Sequence, residues 1–239
     1  MKPAAKPFNE NEFVAGLRIS IEKQSNSRRA KEMAAYMRDQ FQFAGVNAPA
    51  RTEMLRDISV QFEKPNQKQI VKVMRMLWAL DEREYQMLAC EFLNRNKKSL
   101  STSFVSTHVK YFIINKSWWD SVDSLRPAIG YVVSENRELD KVIFEWIESN
   151  NKWLVRSALI HQLVLKEKVD PMKLFALCER RQSDTEFFIA KAVGWALRDY
   201  SYISQVSVKK FVEQHQDLTP LARREGLKAI NRKAARRGS

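Results

Sequence analysis

Glycine and proline are scarce in this chain of 239 residues, with six and seven copies. Folds made of strands and tight turns need more of both, so the shortage favours helices. Cysteine is nearly absent. Cys90 and Cys178 stand far apart with no CxxC between them, a spacing that argues against a zinc site and suits a reducing compartment. His108, His161 and His215 are just as scattered, and each reads as a packing or surface residue rather than a ligand. No GxGxxG, no GxxxxGK[ST] and no strand-like alternation occurs. Residues 1–10 lack the apolar run of a signal peptide, and no uncharged apolar stretch approaches eighteen residues. A soluble, cytoplasmic, all-α protein without metal or cofactor is expected.

Positive charge is what the chain has in excess. The formal net charge is +13, and the pI is near 9.8. Arg223, Arg224, Lys228, Arg232, Lys233, Arg236 and Arg237, against Glu225 alone, account for +6 of it, so +7 stays on the rest of the chain. An acidic partner such as nucleic acid fits this balance better than a basic surface kept for solubility.

Helical periodicity begins near Glu12 and seldom stops. It predicts helices at about 9–24, 27–43, 50–63, 67–80, 82–97, 102–115, 118–132, 136–149, 152–167, 171–181, 185–200, 204–214 and 220–232. Pro127 falls inside the seventh and should kink it or end it early. Ser117 with Asp120, and Ser183 with Glu186, have capping-box spacing. Asp170-Pro171 and Thr219-Pro220 place a cap before a proline at the first helical position. One domain over 1–232 is expected, with a basic, disordered tail at 233–239.

Three segments recur about every forty residues: Ser117–Asp123, Trp153–Arg156 and Gly194–Tyr200. The intervals are 37 residues from Trp119 to Arg156 and 39 from Arg156 to Trp195. That period suits HEAT-type helix pairs whose equivalent helices stack side by side. Trp119 and Asp123 are four apart and Trp195 and Arg198 three apart, so each pair shares a helical face. Stacking would gather two indoles, two guanidiniums and a lone carboxylate on one surface. Either Arg156 or Arg198 alone suits an interhelical pair with Asp123, Asp199 or Glu186 as well as a phosphate clamp, but two arginines at repeat-equivalent places favour phosphate. Trp119, Trp153 and Trp195 suit a cation-stabilising wall or simple core packing. Gly194 beside an indole suggests that something approaches closely.

The chain resembles the AlkD-type DNA glycosylases, the HEAT-like-repeat DNA alkylation repair enzymes of bacteria. The likeness rests on Lys116–Ser124, Asn151–Arg156, Glu186–Tyr200 and Arg223–Lys228, with Ala34–Met37 and Phe43–Pro49 at the front. It implies a HEAT-like solenoid of antiparallel helix pairs with a concave basic cleft. It further implies hydrolysis of the N-glycosidic bond of cationic N3- or N7-alkylated purines in duplex DNA, by a monomer that lacks a base-flipping pocket. Asp123 falls on the family's catalytic aspartate, and Trp119 and Trp195 on the indoles beside the lesion-bearing sugar. Arg156 and Arg198 fall on its DNA-binding arginines, and Tyr36 on an aromatic near the lesion. Gly226 departs from the family's usual alanine, a mid-helix weakness of about 1 kcal/mol.

Overall fold

The computed structural model describes residues 5–163 and 165–237. Among them the chain forms thirteen α-helices and no sheet. A single isolated bridge joins Lys6 to Phe62. Each predicted helix has its counterpart. By their contacts the residues fall into two compact units, one ending at Phe104 and one starting at Val105.

The first unit holds α1 (Glu10–Lys23), α2 (Ser27–Tyr36), α3 (Ala48–Ser59), α4 (Gln67–Ala79) and α5 (Arg83–Arg95). Helices α1, α3, α4 and α5 pack on one another. Phe8, Phe13, Phe62 and Phe92 meet in their core, Phe13 and Phe92 with centroids 4.8 Å apart. Helix α2 ends at Tyr36, short of the expected 43, because Arg38 and Asp39 turn into left-handed backbone with φ of 56° and 55°. The segment beyond it is held by Glu84, a fully buried carboxylate that accepts from the amides of Ala44, Gly45 and Val46 at 2.8–3.1 Å. Gly45 has φ +86°, and a β-carbon there would lie 2.1 Å from the Asn26 carbonyl oxygen. Only glycine fits.

The second unit holds α6 (Val109–Ile114), α7 (Trp119–Glu135), α8 (Asp140–Ile147), α9 (Lys152–Ile160), α10 (Pro171–Arg180), α11 (Phe187–Tyr200), α12 (Gln205–Gln214) and α13 (Pro220–Arg237). Alternate helices pack in series, α7 on α9, α9 on α11 and α11 on α13, and α8, α10 and α12 lie against them. This is a helical repeat, and it explains the recurrence near forty residues: one helix, its partner and two connections separate equivalent positions. Every residue of α9 from Trp153 to Ile160 is buried, as a helix packed on several sides requires.

Several local expectations are corrected. Pro127 does not end α7, which continues to Glu135; it lacks the N–H that Asp123's carbonyl would otherwise bond one turn back. The Ser117 hydroxyl donates to the Ile113 carbonyl, so it caps nothing, and α7 starts from Trp118 without a side-chain cap. Helix α11 is capped by Glu186 itself, whose carboxylate accepts from the amides of Phe188 and Ile189. Asp170 and Thr219 do cap as predicted. Helix α9 stops at Ile160, well before 167. Helix α13 runs on to Arg237, past the expected 232, while Gly238 and Ser239 of the expected tail lie outside the described residues.

Candidate active site

Four of the predicted site residues come from two helices that never touch in sequence. Trp119 and Asp123 share a face of α7, four residues apart; Trp195 and Arg198 share a face of α11. Helix α9 packs against both and supplies Arg156. These five side chains line one cavity of about 320 Å³, together with Phe187, Phe188 and Lys191.

Asp123 and Arg156 are joined by a forked ion pair. Arg156 Nε donates to Oδ1 and Nη2 to Oδ2, each at 2.7 Å, and Nη1 donates to the Phe188 carbonyl at 2.8 Å. The arginine side chain is only 5% exposed and the aspartate 17%. Arg156 is therefore committed to the protein, with its fork turned onto Asp123 rather than onto solvent. A carboxylate offers about four lone-pair positions and the fork takes two, so Asp123 keeps acceptor capacity on its cavity side. The arginine fixes the ionised acid in place.

Arg198 sits differently. Its Nη1 donates to Glu225 Oε2 at 2.6 Å, and it remains 26% exposed. Glu225 on α13 also accepts from Lys191 Nζ at 3.2 Å. Desolvation pushes the Glu225 carboxyl up, but the hydrogen bond and charge of Lys191, with Lys228 and Arg198, outweigh it and hold the group below its ordinary value. The expected lone carboxylate is thus not alone: a second, nearly buried acid underpins the two cations on the α11 side. The sequence placed Arg223–Lys228 near the end of the resemblance, but nothing in its spacing joined Glu225 to Arg198.

The indoles divide. Trp119 and Trp195 are half-buried and line the cavity. Trp195 has two guanidiniums near its ring, Arg126 at 5.5 Å and Arg156 at 5.8 Å from the centroid. Trp153 instead packs in the core, its ring 5.8 Å from Trp118 and 4.9 Å from Phe188. Gly194 answers to a protein neighbour. A β-carbon there would come within 2.5 Å of Glu225 Cβ and 2.9 Å of the Ala222 carbonyl oxygen, so it is α13 that approaches closely. That contact brings Glu225 under Arg198.

Phe187 and Lys191 went unremarked in the sequence, although Phe187, Lys191, Trp195 and Arg198 stand at i, i+4, i+8 and i+11 on one face of α11. Tyr36 ends α2 in the first unit, 72% exposed, and lines a separate cavity with Met33, Met37, Phe43 and Met87. Among the described residues no group of three or more His, Cys, Asp or Glu is placed to hold a metal ion, and no helix is long and apolar enough to cross a membrane.

No curated protein matches the chain. The solved structure described as a predicted DNA alkylation repair enzyme from Enterococcus faecalis is similar at a TM-score of 0.79 and 34% identity, over 86% of this chain and 96% of that one. The family model described as DNA alkylation repair enzyme matches residues 17–230. With a match of that length over a helical repeat, the chain belongs to the DNA alkylation repair enzyme family.

Proposed function

We propose that the chain is a DNA glycosylase that hydrolyses the N-glycosidic bond of cationic N3- or N7-alkylated purines in duplex DNA. One observation carries the reading: an ionised aspartate, locked by an arginine fork, lines the same cavity as two half-buried indoles. A positively charged purine leaves as a neutral base, so it needs no general acid. As the bond breaks, positive charge moves onto the deoxyribose. Asp123 stabilises that charge and orients the attacking water, which bonds to the sugar carbon that the base has left and gives its extra proton to solvent, and Trp119 and Trp195 present electron-rich faces to the sugar. Because Arg156 holds the carboxylate still, little reorganisation is left for the reaction itself. Arg198 and Lys191 lie on the cavity wall and neutralise backbone phosphate. The protein works as a monomer in the cytoplasm, on DNA, and selectivity follows from the intrinsic lability of charged lesions rather than from a base-reading pocket.

The test is single-turnover release of 7-methylguanine from a duplex by the native chain and by Asp123→Asn. Asparagine keeps an acceptor oxygen for Arg156, and a thermal melt confirms that the variant is folded. Release should fall by about a hundredfold or more, with duplex affinity within a few-fold of native. The forked pair also suits a second reading, a DNA-binding protein in which Asp123 only locks α7 to α9. Unchanged release in the variant, or no release by the native chain, selects that reading.

A further inference from the structure

Arg126 stands one turn beyond Asp123 on α7, and with Trp119 and Asp123 it completes an i, i+4, i+7 face. Its guanidinium carbon lies 5.5 Å from the centre of the Trp195 ring. Its Nε is buried without a hydrogen-bond partner, and among the described residues the side chain makes no hydrogen bond or ion pair. The contrast with its neighbours is plain. Arg156 has Nε, Nη1 and Nη2 all engaged by protein oxygens, and Arg198 is held by Glu225.

An indole face compensates only part of what a guanidinium loses on leaving water, and unsatisfied buried donors are rare enough to need a cause. Burial lowers the pKa of Arg126; Asp123 and Asp199 oppose that shift and Arg156 adds to it. A cation left in such a place, beside a sugar that turns positive, would also work against the reaction unless an anion offsets it. A phosphate does both things. It satisfies the fork, and it neutralises a charge that the protein leaves without a bonded carboxylate.

We propose that Arg126 is a phosphate ligand for duplex DNA, gripping the backbone beside Trp195 at the point where Arg156 is not available to do so. This rests on the reading of the cavity as a DNA site.

Duplex binding by the native chain, Arg126→Gln and Arg126→Lys, measured from 50 to 300 mM salt, tests it. The native chain should show a steep fall of affinity with salt. Arg126→Gln should bind roughly tenfold more weakly at low salt, with the log–log slope reduced by about 0.9, the loss of one neutralised phosphate. Arg126→Lys should recover the native slope but only part of the affinity, because an ammonium lacks the fork. If glutamine prevents folding, Arg126→Met keeps the stem and removes the charge, and the same slope is read. A slope unchanged in the uncharged variants, even with slower base release, would mean that Arg126 merely positions Trp195, and the proposal falls. A native chain with no salt-dependent duplex affinity overturns the DNA reading as well, so the two failures are distinct.

Discussion

Glu84 and Asp123 are both acids on helices, both held by nitrogen donors, and the two units treat them in opposite ways. Glu84 is fully buried, and its oxygens are taken by three backbone amides of one loop. Backbone amides cannot be removed by side-chain motion, so the carboxylate is a rivet. Asp123 is held by a side chain and keeps an edge on a cavity between two indoles. An acid that must act on something from outside has to be fixed without being enclosed. Forked pairing with a buried arginine achieves that, and triple amide capture does not.

The largest effect expected from this contrast is on stability in the first unit. Glu84→Ala should lose about 4 kcal/mol in urea unfolding, since it strands three amides of one loop at once, two of them buried. A loss below about 1 kcal/mol would show that water replaces the carboxylate easily.

A buried base of the second unit comes next. The Nδ1 of His161 sits 2.7 Å from the Ala158 carbonyl, and burial lowers its pKa from 6.5 to about 4. With the folded value below the unfolded one, the unfolded chain takes up the proton first as pH falls. Stability is therefore full above about pH 6.5 and declines toward pH 4, by about 3 kcal/mol in all. Melting curves of the native chain and of His161→Asn over this range should diverge, the variant lacking that part of the decline. Parallel curves would remove His161 as the cause.

Asp123→Asn should show the reverse of Glu84→Ala: about a hundredfold slower base release, worth roughly 2.7 kcal/mol in barrier, with a smaller change in melting. If its melting falls as far as that of the Glu84 variant while release persists, the two acids have the same role and the contrast is broken.

Two glycines sharpen the comparison further. Gly194→Ala should cost about 2 kcal/mol, because the new methyl meets α13 at the Ala222 carbonyl and Glu225 Cβ. It should also weaken DNA binding by displacing Glu225 from Arg198. Gly226→Ala should stay within about 1 kcal/mol of native in the same melts. There the nearest atoms are the Leu197 side chain at 3.2–3.3 Å, and mild crowding offsets the gain in helix propensity. Equal effects at the two positions would mean that the α11–α13 contact is not what Gly194 serves.

Much of the site was legible in advance. Trp119, Asp123, Arg156, Trp195 and Arg198 meet at one cavity because helical faces are set by spacing, and repeat equivalence by period. Arg156 and Arg198 each form an ion pair, the first with Asp123, which the sequence offered as a partner, and the second with Glu225, which nothing in the spacing marks. Trp153 was indistinguishable from Trp119 and Trp195 by composition; burial alone separates it.

By itself the chain determined its thirteen helices, the repeat that stacks α7, α9 and α11, and the five side chains that stacking brings together. These depend on periodicities of 3.6 and about forty residues, which are local or regular and need no partner to be read. Only the tertiary structure decided that Arg156 faces inward onto Asp123, that Glu225 supports Arg198, that Gly194 admits α13, and that Arg126 keeps its donors open. All of these depend on how helices distant in sequence meet, and are fixed by burial and by the few ångströms that decide which donor reaches which acceptor.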